Sequence, residues 1–163
     1  MKLTKYSSLA QAVEESALKQ PRRVAIKIKD ELLTYKELLE KSAQVANTLK
    51  NQGVNKEAIG IVGQRHMASY VGILGALFAG CYYVPINPKF SKSKIISIIN
   101  DSNIKFLVGD IDNFSQIKKS LDDKSCKTIV KKIIPFELSS QRSGWLDKKH
   151  IESKSFEIDL SQI

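Results

Sequence analysis

Two histidines, two cysteines and two close carboxylate pairs are the side chains of this sequence best equipped to act on another molecule. His66 and His150 have no cysteine or carboxylate at ligand or relay spacing, so a helix-start or surface role is expected of His66 ahead of general-base catalysis. Asp110 and Asp112, and Asp122 and Asp123, could in principle share a proton or hold a cation. Carboxylates in such pairs more often flank helix starts and loops, and capping is the role expected, with Asp112 opening a helix. Cys81 and Cys126 form no CxxC and have no paired histidine spacing, so neither zinc nor a disulfide framework is indicated and a reducing, cytoplasmic setting fits. Gly60-Ile61-Val62-Gly63 lacks the third glycine of a dinucleotide-binding turn and reads as a strand end. Neither a phosphate-binding Gly-Lys-Ser/Thr loop nor a Gly-x-Ser-x-Gly nucleophile elbow occurs.

These side chains must be held by a framework of ordinary globular composition. The 163 residues are 42% hydrophobic and fit a single domain with its own core. The formal net charge is +9, which raises nucleic acid or an anionic membrane as partners. The cations are dispersed lysines, with arginine only at Arg22, Arg23, Arg65 and Arg142, whereas base and phosphate recognition favours the planar guanidinium fork. Solvated helix faces account for the charge, and neither partner is expected. The N-terminal residues lack the apolar run of a signal peptide.

Ala68 to Ile86 holds no charge in a chain that is 26% charged. A membrane span needs about 20 apolar residues, and this run nearly has them. Its grammar is different. Ala68, Gly72, Ala76 and Gly80 recur every fourth residue, lining one helix face with small groups that admit a close neighbour. Gly80 is suited to a left-handed helix stop, Cys81 to Val84 is strand-prone, and Pro85 is expected to end regular pairing. The stretch therefore reads as a buried helix and strand of an α/β core.

Around it the pattern alternates. Ser8 and Gln11 suggest a capping box for a first helix with Leu9, Ala12, Val13 and Ala17 inward, ended near Pro21. Val24–Ile28 and Leu32-Leu33 read as a hairpin around Lys29-Asp30-Glu31. Thr34 and Glu37 form a clearer capping box for a helix with Tyr35, Leu38, Leu39, Ala43, Ala46 and Leu49 inward, running to Gly53. Ala58–Val62 is a continuous apolar run, as in a parallel strand covered on both faces. Ser91 caps a helix carrying Ile95, Ile96, Ile98 and Ile99; Phe106–Val108 is a strand; Phe114, Ile117 and Leu121 face inward from a further helix; Thr128–Ile134 is another strand. The rhythm predicts an α/β fold, a largely parallel sheet flanked by helices on both faces. Residues 1–134 form this domain. Residues 135–163, polar and aperiodic with Trp145 and Phe156 as anchors, are expected to form an irregular tail.

Leu33-Thr34-Tyr35-Lys36-Glu37-Leu38 resembles the first core motif of adenylate-forming (AMP-binding) enzymes, particularly the amino-acid adenylation domains of nonribosomal peptide synthetases. Leu77-Phe78-Ala79-Gly80-Cys81-Tyr82-Tyr83-Val84-Pro85-Ile86-Asn87 resembles the second, at the family's spacing. Phe78, Tyr82 and Asn87 replace the usual Lys, Ala and Asp, and Ser91 and Lys94 stand where Pro and Arg are common; these departures bear on subfamily rather than fold. The resemblance covers roughly residues 7 to 110, including Arg65. It implies the N-terminal subdomain of the adenylate-forming ligase fold. It also implies that the intact enzyme activates an amino acid with MgATP as an acyl adenylate, then loads a carrier-protein thiol.

The family's phosphate loop, adenine and ribose contacts and C-terminal lysine match no position here, and residues 155–163 resemble the segment just before the phosphate loop. The chain is accordingly expected to be part of a longer enzyme and inactive alone, with no catalytic, cofactor-binding or metal-binding residue and no cofactor of its own. Its partners would be the remainder of the adenylation domain and a carrier protein, with self-association through exposed packing surface. The alternative is a free-standing binding or interaction module that keeps the fold without the catalysis.

Overall fold

The computed structural model describes residues 8–127 and 132–135. Ser8 opens α1 (Leu9–Lys19), its hydroxyl accepting from the Gln11 amide at 3.1 Å, while the Gln11 side chain donates to Glu15. The inward residues of α1 are Ala10, Val13 and Ala17; Leu9, expected inside, is 55% exposed. Val13 and Ala17 lie inward as expected, and at the start of the helix Ala10 takes the inward place expected of Leu9.

β1 (Val24–Ile28) and β2 (Glu31–Thr34) pair antiparallel across the tight turn at Lys29, whose φ is 54°. Ile26, Ile28 and Leu33 turn to the core, and Leu32 to solvent. Thr34 then caps α2 (Tyr35–Asn51). Its hydroxyl accepts from the Glu37 amide at 3.3 Å, and the Glu37 carboxylate accepts from Thr34 N and Oγ1, each at 2.8 Å. The buried face of α2 is Leu38, Ser42, Val45, Ala46 and Leu49, so Ser42 and Val45 join the stripe expected from spacing. Gly53, at φ 73°, releases the chain in the left-handed conformation.

The second sheet is parallel throughout, in the order β4-β3-β5-β6, from β3 (Ala58–Val62), β4 (Tyr82–Ile86), β5 (Phe106–Gly109) and β6 (Lys132–Pro135). The connecting helices are α3 (Met67–Phe78), α4 (Lys92–Asp101) and α5 (Ile111–Leu121). β3 is buried along its whole length, as its uninterrupted apolar run implies. Successive residues serve opposite faces. Ile59, Ile61, Phe106 and Val108 join α1, α2 and α3 in one core, whereas Ala58, Val62 and Leu107 join Ile95, Ile99, Phe114 and Ile117 of α4 and α5 in another. The parallel sheet with helices on both faces is therefore observed.

α3 is covered on nearly all sides, because α2 and the sheet enclose it. The expected small-residue face is present at Ala68, Gly72 and Ala76, with Gly72 against Val108 and Ile61. The closest approach is elsewhere. A Cβ on Gly75 would stand 2.5 Å from Val45 Cγ1 and 3.0 Å from the Ser42 carbonyl oxygen, so α2 and α3 touch backbone to backbone at a glycine outside the fourfold repeat. Among the described residues no helix is long and apolar enough to cross a membrane.

Gly80 ends α3 at φ 72°, with Gly80 N and Cys81 N donating back to Leu77 O and Ala76 O at 2.9 Å. Contrary to expectation, Pro85 does not end the pairing of the following strand; it lies in register opposite Ile61 within β4. Tyr82 N donates to Glu57 O and Ile86 O accepts from Gly63 N, so the backbone groups of Tyr82, Val84 and Ile86 face β3. Those of Tyr83 and Pro85 face outward from this edge strand, where a missing N–H breaks no ladder bond. The strand expected over residues 128–134 is observed at Lys132–Pro135, with residues 128–131 outside the described part. The tail expected beyond it, including Trp145, His150, Phe156 and residues 155–163, also lies outside the described residues.

Candidate functional site

Parallel strands deliver all their C-terminal ends to one edge of a sheet, which is where α/β folds place ligands and reacting groups. Here β3 runs into Gly63-Gln64-Arg65-His66, β4 into Asn87-Pro88-Lys89, and β5 into Asp110. A Cβ on Gly109 would overlap the Val62 carbonyl oxygen, so β3 and β5 lie very close at their ends, and one on Gly63 would overlap Ser69 Oγ, so the exit of β3 lies against the first turn of α3. Asn87 ties the first loop to the second: its Oδ1 accepts from Gln64 Nε2 at 3.1 Å and from Lys89 N at 2.9 Å. Ser69, buried in the first turn of α3, donates its hydroxyl to Gln64 O at 2.9 Å.

Asp110 is the buried acid of this edge. Its Oδ1 accepts from Asn113 N at 2.9 Å, which makes it the N-cap of α5, and its Oδ2 accepts from the Asn113 side chain. This corrects the assignment of that cap to Asp112, which sits exposed inside the first turn. Asp110 is the residue at which the strand leaves the sheet with extended backbone, the geometry an N-cap needs. His66 is the N-cap of α3, as its helix-start reading implied: Nδ1 accepts from Ala68 N at 3.3 Å. The structure also places His66 Nδ1 3.5 Å from Asp110 Oδ2, a proximity that spacing along the chain could not reveal.

A histidine beside a buried carboxylate is two-thirds of a nucleophile-activating triad. Ser69, in the first turn of α3, does not supply the third part, because its Oγ donates to the Gln64 carbonyl. Arg65 and Lys89 are exposed on the loops that follow β3 and β4, so this edge offers cations outward and an acid inward.

The other singled-out residues stand apart. Asp122 and Asp123 follow α5. The Asp123 carboxylate pairs with Lys92 of α4 and accepts from Ser125 N at 2.8 Å, and these bonds, led by the Lys92 ammonium, hold its proton affinity well below the usual carboxylate range. Cys81 is buried and Cys126 half-buried, and the two form no disulfide. Among the described residues no three histidine, cysteine or acidic side chains gather as metal ligands.

The two sequence motifs prove architectural in this geometry. Residues 33–38 supply the buried Leu33 and Leu38 around the Thr34–Glu37 capping box, and residues 77–87 supply the Gly80 stop, the edge strand and the Asn87 tie.

Residues 13–158 match the family model described as "AMP-binding enzyme". Bacitracin synthase 2 of Bacillus licheniformis is 43% identical over 96 residues, covering 58% of this chain and 4% of the synthase. Among solved structures, the anthranilate CoA ligase AuaEII in complex with anthranoyl-AMP superposes with a TM-score of 0.70 at 19% identity, over 82% of this chain and 26% of the ligase. An artificially fused adenylation–PCP di-domain, NpsA-ThdA from Klebsiella oxytoca, superposes with a TM-score of 0.60 at 22% identity, over 68% of this chain and 21% of the fusion. At these identities the two superpositions show a shared fold, that of adenylate-forming ligases.

Proposed function

Because the chain belongs to the AMP-binding enzyme family, we propose that it is the N-terminal part of an ATP-dependent ligase that adenylates an amino acid and passes it to a carrier-protein thiol. The observation that carries this reading is the pair of motifs at residues 33–38 and 77–87, in register with the family and each built into the turn its residues require. The likeness to a bacitracin synthase and to an adenylation–carrier fusion supports the amino-acid branch, with the remainder of the adenylation domain and a carrier protein as partners in the cytoplasm.

The described residues do not fit a MgATP site. Asp110 is engaged by Asn113 and His66, Asp123 by Lys92, and Glu37 by Thr34. Gly60 to Gly63 runs as strand and strand exit rather than as a phosphate-wrapping turn. Neutralising charge at a reacting phosphate requires donors and a cation placed in advance. We therefore assign the chain no catalytic step. Residues 1–134 serve as scaffold, and residues 135–163 lead toward the segment that would hold phosphate.

The test is amino-acid-dependent ATP–pyrophosphate exchange by this chain alone and by the chain joined to the product of its downstream reading frame. Exchange is expected only from the joined form, at a level above background for one or a few amino acids. Exchange by residues 1–163 alone, or a downstream frame encoding no phosphate loop, would overturn the proposal, and the latter would favour a non-catalytic module.

A further inference from the structure

One ring nitrogen at the C-terminal edge of the sheet has two partners that require opposite states of it. His66 Nδ1 lies 3.3 Å from Ala68 N and 3.5 Å from Asp110 Oδ2. To cap α3 the nitrogen must offer a lone pair to the amide; to bind the carboxylate it must carry a proton, and it cannot then accept. Neither partner is free to retreat. Ala68 is buried in the first turn of α3, and Asp110 is buried and fixed by its own capping bond to Asn113 N at 2.9 Å. The two helices lie in different cores, α3 on one face of the sheet and α5 on the other.

We infer that His66 is a pH-driven latch between the two layers. Neutral, it caps α3. Protonated, it leaves the cap and binds Asp110, joining the N-termini of α3 and α5 across the end of the sheet. The charged groups facing the ring are few. Asp110 comes from the β5–α5 junction, with Asp112 exposed in the first turn of α5; Arg65 precedes the ring in its own loop; Lys89 lies on the loop after β4 that Asn87 holds alongside. Tyr70 is the titratable side chain of α3 nearest in sequence, and it is exposed. Apart from Asp110 these are one exposed acid and two exposed cations, and the contact at 3.5 Å with Asp110 is the one the structure shows.

The experiment is nitrogen NMR on the isotope-labelled chain from pH 5 to 8, reading the protonation of each ring nitrogen together with hydrogen exchange at the Ala68 amide. His150→Gln assigns the ring signals. At pH 8 the proton is expected on Nε2 and Ala68 is protected. At pH 5 Nδ1 is protonated and Ala68 exchange, corrected for its intrinsic pH dependence, rises about fivefold, the factor for losing an N-cap bond. Asp110→Asn keeps a good cap for α5 and removes the charge, so protection at Ala68 persists further into acid. His66→Asn keeps a cap for α3 and removes the titration, so protection becomes independent of pH; His66→Ser serves the same purpose if that variant does not fold. Equal protection of Ala68 at both pH values in the parent would overturn the latch. So would identical pH profiles for the parent and Asp110→Asn, which would mean that the cap is lost without a new partner.

Discussion

The two faces of the parallel sheet are built on different plans. On one, α3 is a middle layer, enclosed by the sheet below and α2 above, and its packing is limited by how close two backbones can come. On the other, α4 and α5 form an outer layer with isoleucine and phenylalanine inward and lysine and serine outward. Within α3 the absence of charge is therefore a measure of depth in a layered protein, whereas the uncharged residues Tyr82, Tyr83 and Pro85 of β4 are exposed. In the middle layer, size is the quantity that must be kept small; in the outer layer it must be kept large.

The comparison can be broken at its strictest point. Gly75→Val is expected to destabilise the fold by about 3 kcal/mol or more, because the new side chain meets Val45 and the immovable Ser42 carbonyl at the α2–α3 contact. Urea unfolding against the parent reads this directly. Adding Val45→Ala should recover part of the loss; no recovery would locate the strain elsewhere. On the outer side the sign of the size change reverses. Ile99→Ala removes volume from a fully buried site in α4 and should cost about 2–4 kcal/mol by the same measurement. A Gly75 variant as stable as the parent would dissolve the distinction between the two faces.

The smallest effect concerns the start of α2, which carries the middle layer's roof. Bonds from the Thr34 backbone amide and hydroxyl lower the proton affinity of Glu37, so the carboxylate is held more tightly in the folded chain than in the unfolded one. Its contribution is present above the unfolded value of 4.5 and is lost as pH falls through the depressed folded value. Thr34→Ala is expected to lower stability at pH 7 by about 1 kcal/mol, and to flatten the acid dependence below the unfolded value of 4.5, followed by urea melts at falling pH.

What could be seen in the sequence follows the reach of each interaction. The Thr34–Glu37 box, the Gly80 stop and the buried run of β3 are decided within a few residues, and each is found where its spacing put it. Features decided by a facing element were less legible. Gly75 is exceptional only because Val45 and Ser42 stand opposite, and Ala10 displaces Leu9 only because α1 has a body to lie against. Asp110 rather than Asp112 caps α5 because β5 extends one residue beyond its apolar run. The proximity of His66 to Asp110 was hidden altogether, since it arises from two strands being neighbours in the sheet while another strand and two helices separate them along the chain.

Pro85 has a consequence for what the protein avoids. A sheet that ends in an open strand is a template on which a second chain can continue the ladder, and aggregation commonly starts there. Among the described residues β4 borders the sheet, and the backbone groups on its outer side belong to Tyr83 and Pro85, so that side offers a single amide donor within the strand. A would-be neighbour finds two carbonyl acceptors but one amide donor. The same residue that identifies the family's second motif thus makes the border of the sheet a poor seed for fibres, although Tyr82 and Tyr83 lie exposed upon it.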